Sequence, residues 1–124
     1  MTAARRLAVA AAAVAAVFFL FTGAWAFLAP RSFFDVVATY PPYNQHLFHD
    51  SGAFQLGVAA ALLAGSAGRN ALAVGLWGGA VGTTLHAVSH WIDADLGGRE
   101  SDPYLLTLLA AFVVAGLIAA EVRR

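Results

Sequence analysis

The sequence predicts an all-α integral membrane protein, a bundle of four transmembrane helices with both termini in the cytoplasm. Three observations lead there. The 124 residues are 60% hydrophobic and only 11% charged, against roughly 25% charged in an ordinary soluble domain. So little charge cannot solvate the large relative surface of a small soluble domain. It also excludes disorder, which needs low hydrophobicity and high charge. Four nearly uncharged apolar runs have the ~20-residue length that crosses ~30 Å of hydrocarbon. None alternates with the period of a membrane β-strand. Backbone groups in lipid must be satisfied within their own segment, so the runs are read as helices.

The remaining composition narrows the class. Formal net charge is zero and no basic patch is present, which excludes nucleic acid as a partner. There is no cysteine, so disulfides, thiolate metal sites and cysteine nucleophiles are excluded. All seven basic residues are arginine. With the high Ala and Gly content this points to a GC-rich bacterial genome, and so to a multi-pass protein of the bacterial plasma membrane.

The spans are expected at residues 7–28, 46–67, 71–92 and 104–120, within a single domain covering 1–124. Pro30 ends the first. Arg5, Arg6, the apolar run and Ala24-Trp25-Ala26 together resemble a secretory signal. The run is longer than a signal core and Trp sits in the would-be cleavage site, so it is expected to stay as a span. Residues 31–40 are too short to cross. Phe33, Phe34, Val36, Val37 and Tyr40 fall near helical spacing, as in a segment lying in the interface. Pro41, Pro42 and Tyr43 precede Asn44, a good N-cap for the second span. Residues 65–70 form a tight turn. After the third span, 93–102 is a polar loop. Ser101 or Asp102 is expected to cap the fourth span, with Pro103 at its first position.

Orientation follows from arginine placement. Four spans put both termini on one side, with Arg5, Arg6, Arg69, Arg123 and Arg124. The other side has Arg31 and Arg99, with Asp35, Asp93, Asp95, Glu100 and Asp102. The arginine-rich side is expected in the cytoplasm. Trp25, Tyr40, Tyr43, Trp91 and Tyr104 all fall near the opposite boundary, the position of an aromatic belt.

All four histidines lie near that same boundary. His46 and Asp50 are four apart and share a helix face, as do His86 and His90. The two helices are joined by a short turn and run antiparallel. The start of one is therefore expected beside the end of the other. Three imidazoles and one carboxylate at one depth would suit a transition metal (Zn, Cu, Fe or Mn). His49 is a further candidate ligand. Thr83, Ser89, Asp93 and Gln55 are candidates for outer-shell hydrogen bonds. Two other readings use the same residues. One is a hydrogen-bonded polar cluster, with Asp50 accepting from His86 or His90, that fixes the register of two helices. The other is heme held by one histidine from each helix, less favoured because no c-type attachment motif exists.

Other signals are weaker. Gly75, Gly78, Gly79 and Gly82 give one helix a small-residue face, suited to packing inside the bundle or to a homodimer. The acidic residues of 93–102 do not fit an EF-hand. No nucleophile elbow, phosphate loop or HExxH is present.

The run Pro42-Tyr43-Asn44-Gln45-His46-Leu47-Phe48-His49-Asp50-Ser51-Gly52-Ala53, with the later His86-Ala87-Val88-Ser89-His90, resembles a family of small four-helix membrane proteins common in actinobacteria. Its pattern reads Pro-Tyr-Asn-Glu-His-x-x-x-Asp-x-Gly-Ala, followed by His-x-x-x-His. Tyr43, Asn44, His46, Asp50, Gly52, His86 and His90 match. Gln45 stands in place of the family's Glu, which removes one carboxylate, and His49 is an addition. The plan is also loosely similar to DoxX-like membrane proteins. The resemblance implies the four-span layout rather than any particular reaction.

Three functions are therefore carried forward. The first is a membrane protein with a His/Asp metal site near the outer face. The second is a non-catalytic helical subunit or assembly protein, with a structural polar cluster. The third is a small proton-coupled transporter, ranked last because the first and fourth spans hold no charged residue. A homodimer or larger membrane complex is expected beside the lipid bilayer.

Overall fold

The computed structural model describes residues 1–66 and 68–122. Those residues form five helices and no strand. Four of the helices are long and apolar enough to cross a membrane. They are α1 (Ala3–Leu28), α3 (Gln45–Gly65), α4 (Arg69–Ile92) and α5 (Asp102–Glu121); the short α2 (Pro30–Val36) lies between α1 and α3. The expected fourfold layout holds, with helix ends displaced by a few residues. Hydropathy reads the apolar run, whereas helical hydrogen bonding continues past it. Thus α1 begins at Ala3 and includes Arg5 and Arg6, with the Thr2 side chain accepting from Arg5 N–H at 3.3 Å.

Around the bundle the order is α1, α3, α4, α5. Each helix touches its two neighbours, and α1 also touches α4 across the middle. Among the described residues α3 and α5 do not meet. The section is a rhombus with α1–α4 as its short diagonal. Small residues make that possible. The buried side of α1 is Ala8, Ala11, Ala12, Ala15, Ala16, Phe19, Gly23 and Ala26. The helices are apolar on nearly every face, so close backbone approach rather than hydrophobicity alone selects this packing. At the α1–α3 crossing, a methyl group on Gly52 would lie 2.7 Å from the Gly23 carbonyl oxygen. At the α1–α5 crossing, one on Gly116 would overlap the Ala11 side chain. Gly75 and Gly79, read from the sequence as a packing face, are used inside the bundle against Ala61, Leu62 and Val113. Leu62, Leu76, Val113 and Thr83 are the largest fully buried side chains.

The start of α1, the end of α5 and the junction of α3 with α4 lie at one end, where Thr2, Arg5, Gly68, Asn70 and Ala120 line a common cleft. The other end carries α2 and the α4–α5 loop. Pro30 starts α2, as its fixed φ and missing N–H allow. Helix α2 buries Phe33 in an aromatic group with Trp25 and Phe48. Arg31 pairs with Asp35 at 3.0 Å and lies over the rings of Phe34 and Tyr43. Asn44 caps α3 as expected, accepting from Leu47 N–H at 3.2 Å. Ser101 occupies the cap position of α5 but makes no side-chain cap bond. The Asp102 carboxylate instead accepts from Arg99 N–H at 2.9 Å. Ala67, Arg123 and Arg124, used in the reading of spans and orientation, lie outside the described residues.

A methyl group at the α1–α3 crossing should force the helices apart. Gly52→Ala is expected to destabilise the bundle by about 1–3 kcal/mol. Gly78→Ala, where an added methyl meets nothing within 4 Å, should change stability by less than ~0.5 kcal/mol. Thermal unfolding of both variants in one detergent compares them directly.

Candidate functional site

The histidines gather at the α2 end as two separate pairs. His86 and His90 stack one turn apart on α4, with ring centroids 4.9 Å apart and their Nε2 atoms at 3.2 Å. His90 then meets the connection between α2 and α3. The Tyr40 hydroxyl lies 3.0 Å from His90 Nδ1, and the two rings pack edge to face. His86 faces α1, its ring 6.3 Å from that of Phe18. One turn deeper, the buried Thr83 hydroxyl donates to the Gly79 carbonyl at 2.8 Å. A continuous line of polar contacts thus runs Tyr40, His90, His86 from the loop into the bundle.

The α4–α5 loop holds Tyr40 in place. Gly98 N–H donates to the Thr39 carbonyl at 3.2 Å. Gly97 and Gly98 have φ of 148° and 78°, a region that side chains rarely adopt. A Cβ on Gly98 would sit 2.5 Å from the Tyr40 hydroxyl oxygen. The two glycines therefore supply both the turn and the space for the phenol. Arg99 adds a second tie, its guanidinium donating to the Val36 carbonyl at 2.5 Å. Burial pushes the Tyr40 phenol above its ordinary value, and the negative charges of Asp102 and Asp93 add to the effect. A phenol that keeps its proton can donate to His90 Nδ1. His90 Nε2–H then donates to His86 Nε2, and every contact in the line has one proton.

His46 and Asp50 form the other pair, Nε2 to Oδ2 at 3.4 Å, with side chains 85% and 56% exposed. The expected convergence of His46, Asp50, His86 and His90 does not occur. Among the described residues, no group of three or more His, Cys, Asp or Glu side chains is placed to hold one metal ion. The reason lies in how α3 is turned. Phe48 packs on α2 and Gly52 on α1. Two residues further along a helix is about 200° of rotation, so seating Phe48 and Gly52 turns His46 and Asp50 outward. The short α1–α4 diagonal also places Phe18 against His86.

The remaining candidates are placed elsewhere. The His49 ring lies 5.4 Å from that of Phe27 on α1. Gln55 accepts from Thr22 of α1 at 2.5 Å and donates to Ser51 at 3.1 Å. This is a polar tie between α1 and α3, not an outer shell. Ser89 donates to the His86 carbonyl at 2.8 Å. Asp93 occupies the C-cap position of α4. Sequence reading missed Tyr40 as the partner of His90, since its aromatic-belt position was explanation enough. The one available signal was the Gly97-Gly98 pair, which marks a left-handed turn that something must pack against. No family model, curated protein or solved structure matches the chain.

Tyr40→Phe keeps the ring and removes the bond to His90, so it should lower stability by about 0.5–1.5 kcal/mol. The raised phenol means that the folded state holds this proton more tightly than the unfolded chain. That contribution is fully present below the ordinary value of about 10 and is lost as pH rises through the raised one. Wild type should therefore lose stability in alkali more steeply than Tyr40→Phe. Thermal midpoints of the two proteins across pH 8–12 (~1-unit steps, bracketing the phenol) check this.

Proposed function

We propose that the chain is a non-catalytic helical subunit of the bacterial plasma membrane, with a structural polar cluster at its outer end. The observation that carries the reading is the engagement of His90 at both ring nitrogens, by Tyr40 and by His86. Among the described residues, no buried side-chain polar atom lacks a hydrogen-bond partner. A closed polar network is what interhelical glue requires, because a half-satisfied one destabilises. The cluster clamps the connection from α2 to α3 onto α4, and the 97–98 turn clamps it from the other side.

One observation favours a second reading. The Nε2 atoms of His86 and His90 lie 3.2 Å apart. Two nitrogens at ~2.0–2.1 Å from a tetrahedral zinc lie about 3.4 Å from each other. A transition metal would take both Nε2 atoms, and Tyr40 would orient His90 through Nδ1, as outer-shell groups do. Such a site has two protein ligands from α4 and not the four first expected. Heme held by one histidine from each helix would need a histidine of α3 turned towards His86 or His90, whereas His46 pairs with Asp50 and His49 lies against Phe27.

Elemental analysis of detergent-purified protein without a His-tag separates the two readings. The structural reading expects well under one equivalent of Zn, Cu, Fe or Mn per chain and a thermal midpoint that a chelator does not move. About one equivalent, lost in His86→Ala and accompanied by a lowered midpoint, establishes the metal reading instead.

Arginine placement supports cytoplasmic termini. Arg5, Arg6 and position 69 belong to the end that holds both termini, while Arg31 and Arg99 belong to the α2 end. A fluorescent protein fused after residue 122 should therefore fluoresce in the cytoplasm. Alkaline phosphatase inserted at residue 96 should be active outside it. The reverse pattern would invert the protein.

A further inference from the structure

A cleft of about 840 Å³ opens where the start of α1, the start of α4 and the end of α5 come together. That volume lies within the ~300–1,000 Å³ of small-molecule sites. Its lining is graded. Thr2, Arg5 and Asn70 make a polar mouth, and Ala8, Leu72 and Ala120 make an apolar floor. Ala8 and Leu72 are buried, and Ala8 lies a turn further along α1 than Arg5. The space exists because α1 and α5 present alanines there.

Arg5 is brought to the cleft by the same face of α1 that packs the bundle. Arg5, Ala8 and Ala12 follow at spacings of three and four, and both alanines are buried. Arg6, about 100° further round the helix, is exposed and does not line the cleft. Among the described residues the Arg5 guanidinium has no hydrogen-bond or ion-pair partner. Among them, too, no Asp or Glu lines the cleft. Glu121, at the end of α5, accepts from the Trp77 indole N–H at 3.0 Å.

Helix length sets the depth of this arginine. The 26 residues of α1 make a rod of about 39 Å, against ~30 Å of hydrocarbon. With Leu28 at the boundary where Pro30 starts α2, the surplus of about 9 Å falls at the other end. It covers Ala3 to Ala8. The polar layer of a bilayer is about 5–8 Å deep on each side. Arg5 therefore stands at the level of the lipid phosphates, and Ala8 at the edge of the acyl chains.

We propose that this cleft binds the phosphate of an anionic phospholipid. The Arg5 guanidinium donates to the phosphate oxygens, and the alanine floor takes the first carbons below the headgroup. A guanidinium matches phosphate through paired N–H donors, and basic pockets between spans hold such headgroups. The Thr2 hydroxyl accepts from Arg5 N–H at 3.3 Å and keeps its own proton to donate. A single arginine at an open mouth holds a free phosphate weakly, so the apolar floor selects a lipid. The inference rests on the reading of these helices as membrane spans, which the fusions above test separately.

Native mass spectrometry of delipidated protein in detergent, with added phosphatidylglycerol or phosphatidylcholine, tests the site. Phosphatidylglycerol should bind more tightly than phosphatidylcholine, as one equivalent. Arg5→Gln should weaken it at least about tenfold, the loss of a charge-assisted pair. Arg6→Gln removes the same charge outside the cleft and should change affinity less than about twofold. Ala120→Leu keeps every charge and fills the floor; with its helical circular dichroism intact, it should also weaken binding. Inorganic phosphate in excess should not displace the lipid. Equal affinity for the two lipids, equal losses in Arg5→Gln and Arg6→Gln, or unchanged binding in Arg5→Gln overturns the proposal. So does unchanged binding in folded Ala120→Leu. Displacement by inorganic phosphate would make the cleft a free-phosphate site and overturn the lipid as its occupant.

Discussion

The close approach of α1 to every other helix is the constraint on which the structure depends. In helices that are apolar on nearly every face, burying one more leucine distinguishes little between arrangements. What distinguishes one arrangement from another is how near two backbones can come and which polar groups meet. Helix α1 answers the first question with a run of alanines and Gly23. Because α1 is thin on that side, it reaches α4 across the middle of the bundle. That contact separates α3 from α5 and decides which faces of α3 and α4 look at each other. The glycine at each crossing is thus a positional instruction. Gly52 turns α3 so that Phe48 falls on the aromatic group of α2, and everything else on α3 follows from that rotation.

The four long helices were legible because length and apolar composition, which suffice to cross a membrane, can both be counted along a chain. Caps were legible where a side chain does the capping, as Asn44 does. Ser101 was legible only as a position, because the local bond comes from Asp102 instead. The site was legible in part. Spacing of four residues puts His46 with Asp50 and His86 with His90, and the structure keeps both pairs. Spacing does not say how a helix is rotated against its neighbours. Two helices joined by a tight turn are close at the turn, and the α3–α4 contacts at Gly65, Gly75 and Gly79 lie towards that end. At the far end a third helix intrudes, and no pattern in α3 or α4 announces it. Tyr40 was hidden for a related reason. Its partner lies 50 residues away, and only the loop that delivers it carries a mark.

The polar groups at the α2 end divide the work between them. The Tyr40–His90–His86 line is internal, with contacts on both sides of the central ring. It ties α4 to the connection from which α3 starts, and so it fixes the height at which α3 begins. The Thr22–Gln55–Ser51 contacts tie α3 to α1 one to two turns below. Between these ties α3 has little freedom to slide or roll. Its outward pair is therefore held outward by packing at Phe48 and Gly52, not left there by a loose helix. The separation of the two pairs is a property of the fold, and a metal drawn to both would have to break the α1–α3 crossing to reach them.

Two glycines test whether an unfilled small position carries meaning. Gly57 and Gly78 both have nothing within 4 Å of an added methyl. Gly78 is surrounded on its face by Val74, Val81 and Leu85, so a second backbone could not come close there. Gly57 sits in line with Ala53, Ala60 and Ala64, and the same line ends on His46 and Asp50. Packing inside this chain uses small residues where two helices cross, at Gly23, Gly52, Gly75 and Gly116.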